Sequence, residues 1–295
     1  MKKYLKLLRV EQWVKNLFVF LPVFFSGKIL ELDLFGKSCM AFMVFSLTAS
    51  CIYIINDYMD LEQDKKHPQK CYRPLASGAI TKKTAILIGL FIGLLIGGCM
   101  LYISIANGMK IQRFNSAILA YFILNLFYTF KLKHVPIIDI FIISIGFVLR
   151  VLSGGFITGI GVSQWATLLT FLLALVLAIG KRRGELINEN INGQTRKALG
   201  GYNVQFADIA LSISCTLAIV CYVMFTLSPE VQYKFHPRVF YTVIFVVFAF
   251  LRYLQQTLVY NKTESPTKII YKDHYIQVIL LLWLVAFLLQ IYFKE

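Results

Sequence analysis

At 295 residues, 58% of them hydrophobic and only 15% charged, with a mean hydropathy of +0.69, the chain is too apolar for a soluble core and reads as a polytopic membrane protein. Its net charge of +15 comes without a separate basic soluble segment. That excludes a nucleic-acid-binding module and leaves anionic lipid and a phosphate-rich substrate to account for the surplus.

Apolar windows predict nine membrane helices, near residues 14–32, 38–56, 84–106, 114–131, 135–156, 163–180, 207–228, 238–259 and 275–293, or eight if one of the short or Pro/Gly-interrupted runs does not span. They form one all-α domain over 1–295. The basic run Met1 to Arg9 is followed by no small-residue cleavage site, so the first span is expected to stay in the membrane. With the N-terminus inside, most of the 30 Lys and Arg fall on one side. The positive-inside rule makes that side cytoplasmic, in the plasma (inner) membrane. The six cysteines form no CxxC pair and read as small apolar residues, not as disulfides or zinc ligands.

In chain order, RVEQWVKNLFVFLP (Arg9 to Pro22) begins amphipathic and becomes apolar, with Trp13 where an aromatic belt is expected. Lys15 and Asn16 enter the membrane side of that boundary, where a charge needs a partner or must snorkel. They are candidates for a phosphate contact.

The stretch NDYMDLEQDKKHPQKCYRPLASGAI (Asn56 to Ile80) is the first polar focus. On one helix with Asn56 at zero, Asp57 falls at about 100°, Asp60 at about 40° and Asp64 at about 80°, within one quadrant. Pro68 is expected to stop that helix. Carboxylates on one face repel unless a cation sits among them, and hard oxygen ligands with open positions suit Mg²⁺ shared with substrate phosphates. Lys65, Lys66, Lys70 and Arg73 follow at once and suit phosphate oxygens. The alternative is a charged loop present only for solubility; the single acidic face argues against it.

Tyr128, Lys131, Lys133 and His134 mark the rim after the fourth span. The fifth holds Asp139 and Arg150, eleven positions or about 16 Å apart along a helix, so they cannot pair with each other. Arg150 is expected to have a structural partner and Asp139 is a site candidate. The second polar focus is GKRRGELINENINGQTRKALGGY (Gly180 to Tyr202). With Lys181 at zero, Arg182 lies at about 100°, Glu185 at about 40°, Asn188 at about −20° and Glu189 at about 80°, while Arg183 at about 200° points elsewhere. Cations with a carboxylate suit a phosphorylated sugar; a positive-inside flank is the rival. The late loop with Glu264, Ser265, Pro266, Lys272 and Asp273 says little alone.

At these residues the chain resembles the UbiA superfamily of intramembrane prenyltransferases, whose first aspartate-rich motif matches Asn56-Asp57-x-x-Asp60-x-x-x-Asp64. Where that superfamily usually has a second Asp-x-x-x-Asp, this chain has GKRRGEL. It is similar instead to the decaprenyl-phosphate phosphoribosyltransferase branch. The shared features are RxxQWxKN (Arg9, Gln12, Trp13, Lys15, Asn16), the HPxKxxRPxAxG tail (His67 to Gly78), LKHxxxxD (Leu132 to Asp139), the Arg150 to Gly155 run and GKRxxEL (Gly180 to Leu186). The resemblance implies a nine-helix bundle with a cytoplasm-facing polar cavity. It implies transfer of 5-phosphoribose from phosphoribosyl diphosphate to a polyprenyl phosphate. Mg²⁺ would sit on Asn56, Asp57, Asp60 and Asp64, with Lys70 and Arg73 on the diphosphate. Lys181, Arg182 and Glu185 would take the ribose 5-phosphate, hydroxyls or a second metal. Lys15, Asn16, Tyr128, Lys133 and Asp139 complete the substrate-binding candidates. A homo-oligomer is compatible with this reading.

Two rivals stand beside it. A UbiA-type enzyme acting on an aromatic or quinone-precursor acceptor uses the same first motif, but the missing second aspartate pair argues against it. A lipid-phosphate transporter predicts charges at the midplane and inverted repeats, whereas these clusters lie at one rim.

Overall fold

The computed structural model describes residues 2–66, 69–107, 112–192, 197–261 and 272–292. His67 and Pro68, the side chains of Asn188 and Glu189, and the Glu264-Ser265-Pro266 segment lie outside the described residues, so the expected helix stop at Pro68 does too. All described regular structure is helical.

Among the described residues, six helices are long and apolar enough to cross a bilayer: Leu32–Met59, Lys82–Ile105, Ile138–Thr158, Gln164–Ile187, Val204–Leu227 and Pro237–Val259. His274–Gln290 is a shorter apolar helix. Helix Gln112–Phe130 occupies the fourth expected span. Gln112, Arg113, Asn115 and Ser116 in its first turns keep it too polar to join the six. The first expected span, 14–32, is not one helix. Val10–Phe20 forms a 3₁₀ helix and Leu21–Phe25 a short α-helix.

Packing divides the chain into two units. One comprises Met1–Leu132 with Leu149–Val162, the other Lys133–Val148 with Ser163–Glu295. Helix Ile138–Thr158 therefore contributes its first half to the second unit and its second half to the first.

In the first unit, α1 (Lys2–Leu7), the 3₁₀ helix and α2 (Leu21–Phe25) line up beside α3 (Leu32–Met59). A 3₁₀ helix eclipses side chains three apart, so Trp13, Asn16 and Val19 form one row. Trp13 Nε1 donates to Ser50 Oγ at 3.0 Å and Asn16 Nδ2 to Ser46 Oγ at 3.0 Å, one α-helical turn apart on α3. Val19 closes the row against Gly154, where an added Cβ would come within 1.9 Å of the Val19 carbonyl oxygen. Only glycine admits that approach. Ser50 Oγ also donates to the Leu8 carbonyl at 2.7 Å, tying down the chain just before the 3₁₀ helix. After α4 (Leu61–Lys66), α5 (Lys82–Asn107) and α6 (Gln112–Phe130) pack on α3.

Arg150, buried on α7 (Ile138–Thr158), has the structural partners its burial demands. Its Nε donates to Asn16 Oδ1 at 2.8 Å and its Nη2 to the Tyr121 hydroxyl at 2.9 Å. The guanidinium also stacks on the Phe45 and Tyr121 rings, 5.1 and 4.9 Å from their centroids.

In the second unit, α8 (Gln164–Asn192) and α9 (Val204–Leu227) make the most extensive helix pair. Their interface is filled by Val176, Ile179, Leu211, Cys215 and Ala218. α10 (Pro229–Phe235), α11 (Val243–Leu254) with its π-helical continuation Gln255–Val259, and α12 (His274–Tyr292) complete the unit. Arg183 holds the rim of this packing. Its Nε donates to Asp208 Oδ1 at 2.5 Å and its Nη1 to the Thr257 carbonyl at 2.6 Å and to Asn261 Oδ1 at 3.1 Å. At a helix end that carbonyl has no intrahelical donor, so a guanidinium is a natural partner.

Candidate active site

The first polar cluster forms where α3 ends. The expected continuous helix from Asn56 to Asp64 breaks at Asp60, whose backbone (φ −89°, ψ 6°) leaves the α region. The Asp60 N–H still donates to the Asn56 carbonyl at 2.9 Å, and its own carbonyl accepts from the Asp64 N–H at 2.8 Å. The ladder is interrupted just beyond it: the Gln63 N–H donates to the Asp60 carbonyl, three residues back, at 3.0 Å. Asp57 and Asp64 stay on a common side, and Arg73 joins them: its Nη1 lies 3.2 Å from Asp57 Oδ1 and 2.6 Å from Asp64 Oδ2. Arg9 is the second cation, donating to the same Asp57 oxygen and stacking 4.6 Å from the Tyr53 ring centroid.

The arrangement is layered. The carboxylate side chains are 2% and 3% exposed, the arginines 20% and 25%, so the cations cover the acids. One guanidinium nitrogen already reaches both carboxylates. A hard divalent cation held by these two and completed by phosphate oxygens suits the pair, since Mg²⁺ commonly uses one or two protein carboxylates plus substrate. Among the described residues no three His, Cys, Asp or Glu side chains gather closely enough to hold an ion. Of the expected Mg²⁺ set of Asn56, Asp57, Asp60 and Asp64, Asp57 and Asp64 are joined through Arg73, and Asp60 stands at the turn between the two helices. Lys70 is exposed in the 3₁₀ turn Lys70–Tyr72, next to Arg73.

The second cluster belongs to the other unit, and here the arginine is buried together with its aspartate. Asp139, fully buried in the first turn of α7, accepts from Arg182 Nε at 2.6 Å through one oxygen and from the Tyr202 hydroxyl at 2.7 Å through the other. Arg182 is 1% exposed and also donates from Nη1 to Glu185. Lys181 Nζ lies 3.9 Å from Glu185 Oε1, with 55% and 29% of the two side chains exposed. Lys181 and Glu185 therefore face outward, while Asp139 and Arg182 form the frame behind them.

Backbone geometry supports that frame. Gly201 packs on Pro136, where a Cβ would meet Cγ at 2.2 Å, so the turn before α9 comes close enough for Tyr202 to reach back. Its hydroxyl accepts from the Ile137 N–H at 2.6 Å. Ile137 sits at φ +67°, a left-handed conformation that a β-branched residue adopts only under strong local constraint. Burial, then the Asp139 hydrogen bond, pushes the Tyr202 phenol above its ordinary value, so it stays a proton donor to Asp139.

Of the remaining expected residues, Lys15 is half-buried on the 3₁₀ helix, and Asn16 is 1% exposed with its amide spent on Ser46 and Arg150. Tyr128 is half-buried near the end of α6, and Lys133 is buried in the turn Leu132–His134. Two residues were not singled out for a role by sequence reasoning. Arg9 was visible only inside the RxxQWxKN run, and Tyr202 only as the last residue of the second focus. Neither has a spacing signal, because both reach their aspartates from distant segments.

The chain matches the model of the UbiA prenyltransferase family over residues 19–279. It is 33% identical to a decaprenyl-phosphate phosphoribosyltransferase of Mycolicibacterium smegmatis, covering 98% of this chain and 92% of the relative. It is 31% identical to one of Corynebacterium glutamicum, covering 98% and 86%. Its fold is similar to that of a UbiA homolog from Archaeoglobus fulgidus solved with GPP and Mg²⁺, with a TM-score of 0.68 at 19% identity over 98% of this chain and 99% of that one. Spanning nearly its whole length, these similarities place the chain in the UbiA prenyltransferase family, as a transferase of the decaprenyl-phosphate phosphoribosyltransferase type.

Proposed function

We propose that the protein transfers 5-phosphoribose from phosphoribosyl diphosphate to a polyprenyl phosphate, releasing diphosphate. The observation that carries this is the pair of buried carboxylates, Asp57 and Asp64, joined by Arg73 in a chain with phosphoribosyltransferase-type relatives along its length. In the reaction the bond from sugar C1 to diphosphate oxygen breaks, and an oxygen of the acceptor phosphate forms the new bond to C1. That oxygen is already anionic, so no strong general base is called for. A Mg²⁺ ion bound beside Asp57 and Asp64 would offset charge on the departing diphosphate.

The protein's own groups do the rest. Asp57 and Asp64 form the acidic floor, with Asp60 and Asn56 on the adjoining turn. Arg73, Arg9 and Lys70 take diphosphate oxygens. Lys181 and Glu185 meet the ribose 5-phosphate and hydroxyls, and Arg182, held by Asp139, fixes Glu185. Lys15, Tyr128 and Lys133 contribute to phosphate binding, and Asn16 acts through Arg150. On this reading the chain is one nine-span UbiA-like domain in the inner membrane. The Val10–Phe25 segment, α6 and α12 supply the three spans beyond the six, and both polar clusters open to the cytoplasm.

The test is purified protein in lipid nanodiscs with labelled phosphoribosyl diphosphate and decaprenyl phosphate, with and without a chelator. Label should enter the lipid phase only with divalent metal present. Activity with a prenyl diphosphate and an aromatic acceptor, and none with the sugar donor, would establish the aromatic-prenyltransferase reading instead.

A further inference from the structure

We infer that Arg9 and Arg73 are counter-cations of Asp57 and Asp64 with which an incoming metal competes, making divalent-metal binding contingent on diphosphate. This rests on the metal–diphosphate reading of Asp57 and Asp64. Both acids are already neutralised: Asp57 by Arg9 and Arg73, Asp64 by Arg73. Two carboxylates and two guanidinium groups sum to zero. A dication entering alone would bring two uncompensated charges to a nearly dry place and compete with both arginines for the same oxygens. A dication arriving with a diphosphate brings its own anion, and the arginines, being the more exposed partners, can turn from carboxylate to phosphate oxygens without leaving the site. The guanidinium groups then keep a partner in both states.

Arg9 is placed for such an exchange. It stands in a left-handed conformation (φ 47°, ψ 47°) between α1 and the 3₁₀ helix. Its guanidinium is supported from behind by the Tyr53 ring. Ser50 anchors the preceding Leu8 carbonyl at 2.7 Å and so fixes where the Arg9 side chain starts. The backbone is held while the charged tip is free to change partners.

Coupling of this kind is reciprocal, and it has a signature that a merely structural arginine lacks. Mn²⁺ alone is measured from its free-ion paramagnetic signal, and labelled diphosphate by retention with and without Mn²⁺, on the full chain in detergent. In the native protein Mn²⁺ alone should bind weakly, and Mn²⁺ should strengthen diphosphate retention at least tenfold. In Arg9→Gln, and in Arg73→Gln, Mn²⁺ alone should bind at least fivefold more tightly while diphosphate binds more weakly. Arg9→Lys, keeping the charge, should stay near the native pattern. A fall in both affinities together, or native Mn²⁺ binding as tight without diphosphate as in the glutamine variants, overturns the inference. Diphosphate retention that no metal enhances, together with no Mn²⁺ binding in native protein or variants, would overturn the metal–diphosphate reading itself.

Discussion

The two polar clusters each bury an aspartate and differ in the depth of its arginine. Around Asp57 and Asp64 the acids lie inside and the arginines outside. Around Arg182 the arginine and its aspartate are both inside, and the exposed groups are a lysine and a glutamate. A buried carboxylate under a movable cation can exchange that cation for another. A buried guanidinium held by both Asp139 and Glu185 acts as a frame. The depth of the arginine is therefore what separates a site that changes its counter-ion from one that presents fixed groups.

Substitution at the acids should break that comparison most visibly. Asp57→Asn or Asp64→Asn removes one of two converging carboxylates, and turnover should fall by about 10²–10³, the scale of losing one preorganised charge partner at a reacting centre. Stability should fall far less, by about 1–3 kcal/mol, because the quarter-exposed arginines can turn to water or to the remaining acid. Radiolabel transfer and thermal unfolding in detergent measure the two effects on one preparation.

Asp139→Asn should do the reverse. It strands Arg182 in a buried place, and breaking such a pair from one side costs about 3–5 kcal/mol. The unfolding temperature should drop well below that of Asp57→Asn, while the folded fraction keeps its kcat and loses affinity for the sugar donor at least as much as Tyr202→Phe. If Asp57→Asn were the less stable variant, the assignment of one cluster as exchangeable and the other as frame would be inverted.

Another ion pair, in neither cluster, calibrates both. Asp273 caps α12 through the Ile276 N–H at 3.0 Å and accepts from Arg252 Nη2 at 2.8 Å. Burial alone would raise its pKa, but the Arg252 hydrogen bonds and the Ile276 N–H outweigh it and hold the carboxyl below its usual range. Its contribution to stability is therefore present above the ordinary carboxylate pKa and lost as pH falls through the depressed folded value. Amide protection factors at the start of α12, corrected for the intrinsic pH dependence of exchange, should fall on acidification in the native chain, and Asp273→Asn should remove that pH dependence.

The helical class, the first aspartate motif and Arg182–Glu185 were legible in the sequence because each is local: an apolar window, or a spacing of three or four on one helix turn. The nine-span count did not transfer directly, since hydropathy sees an apolar run at 14–32 but not that Arg9 turns left-handed and the chain continues as a 3₁₀ helix docked on Ser46 and Ser50. The Asp60 kink escaped for a similar reason, because an ideal 100° step cannot register a single residue leaving the α region. Asp139 and Arg182 were each singled out, yet their pairing, 43 positions apart, is a tertiary fact. Arg9 and Tyr202 were missed as site residues on the same ground: each matters through a partner 48 or 63 positions away.

Tyr202→Phe is the smallest and most discriminating change. It keeps the ring packed against Phe206, 5.9 Å between centroids, and deletes only the hydroxyl between the Ile137 N–H and Asp139. Losing one such bond to a charged acceptor costs about 1.5–3 kcal/mol, less than Asp139→Asn because Arg182 keeps its aspartate. With that tether gone, Asp139 and Arg182 can swing together and Glu185 loses its fixed position. The Michaelis constant for the sugar donor should rise severalfold while that for the lipid acceptor stays put. An equal rise for both substrates would mean that Tyr202 only holds the turn before α9, and the frame would end at Asp139.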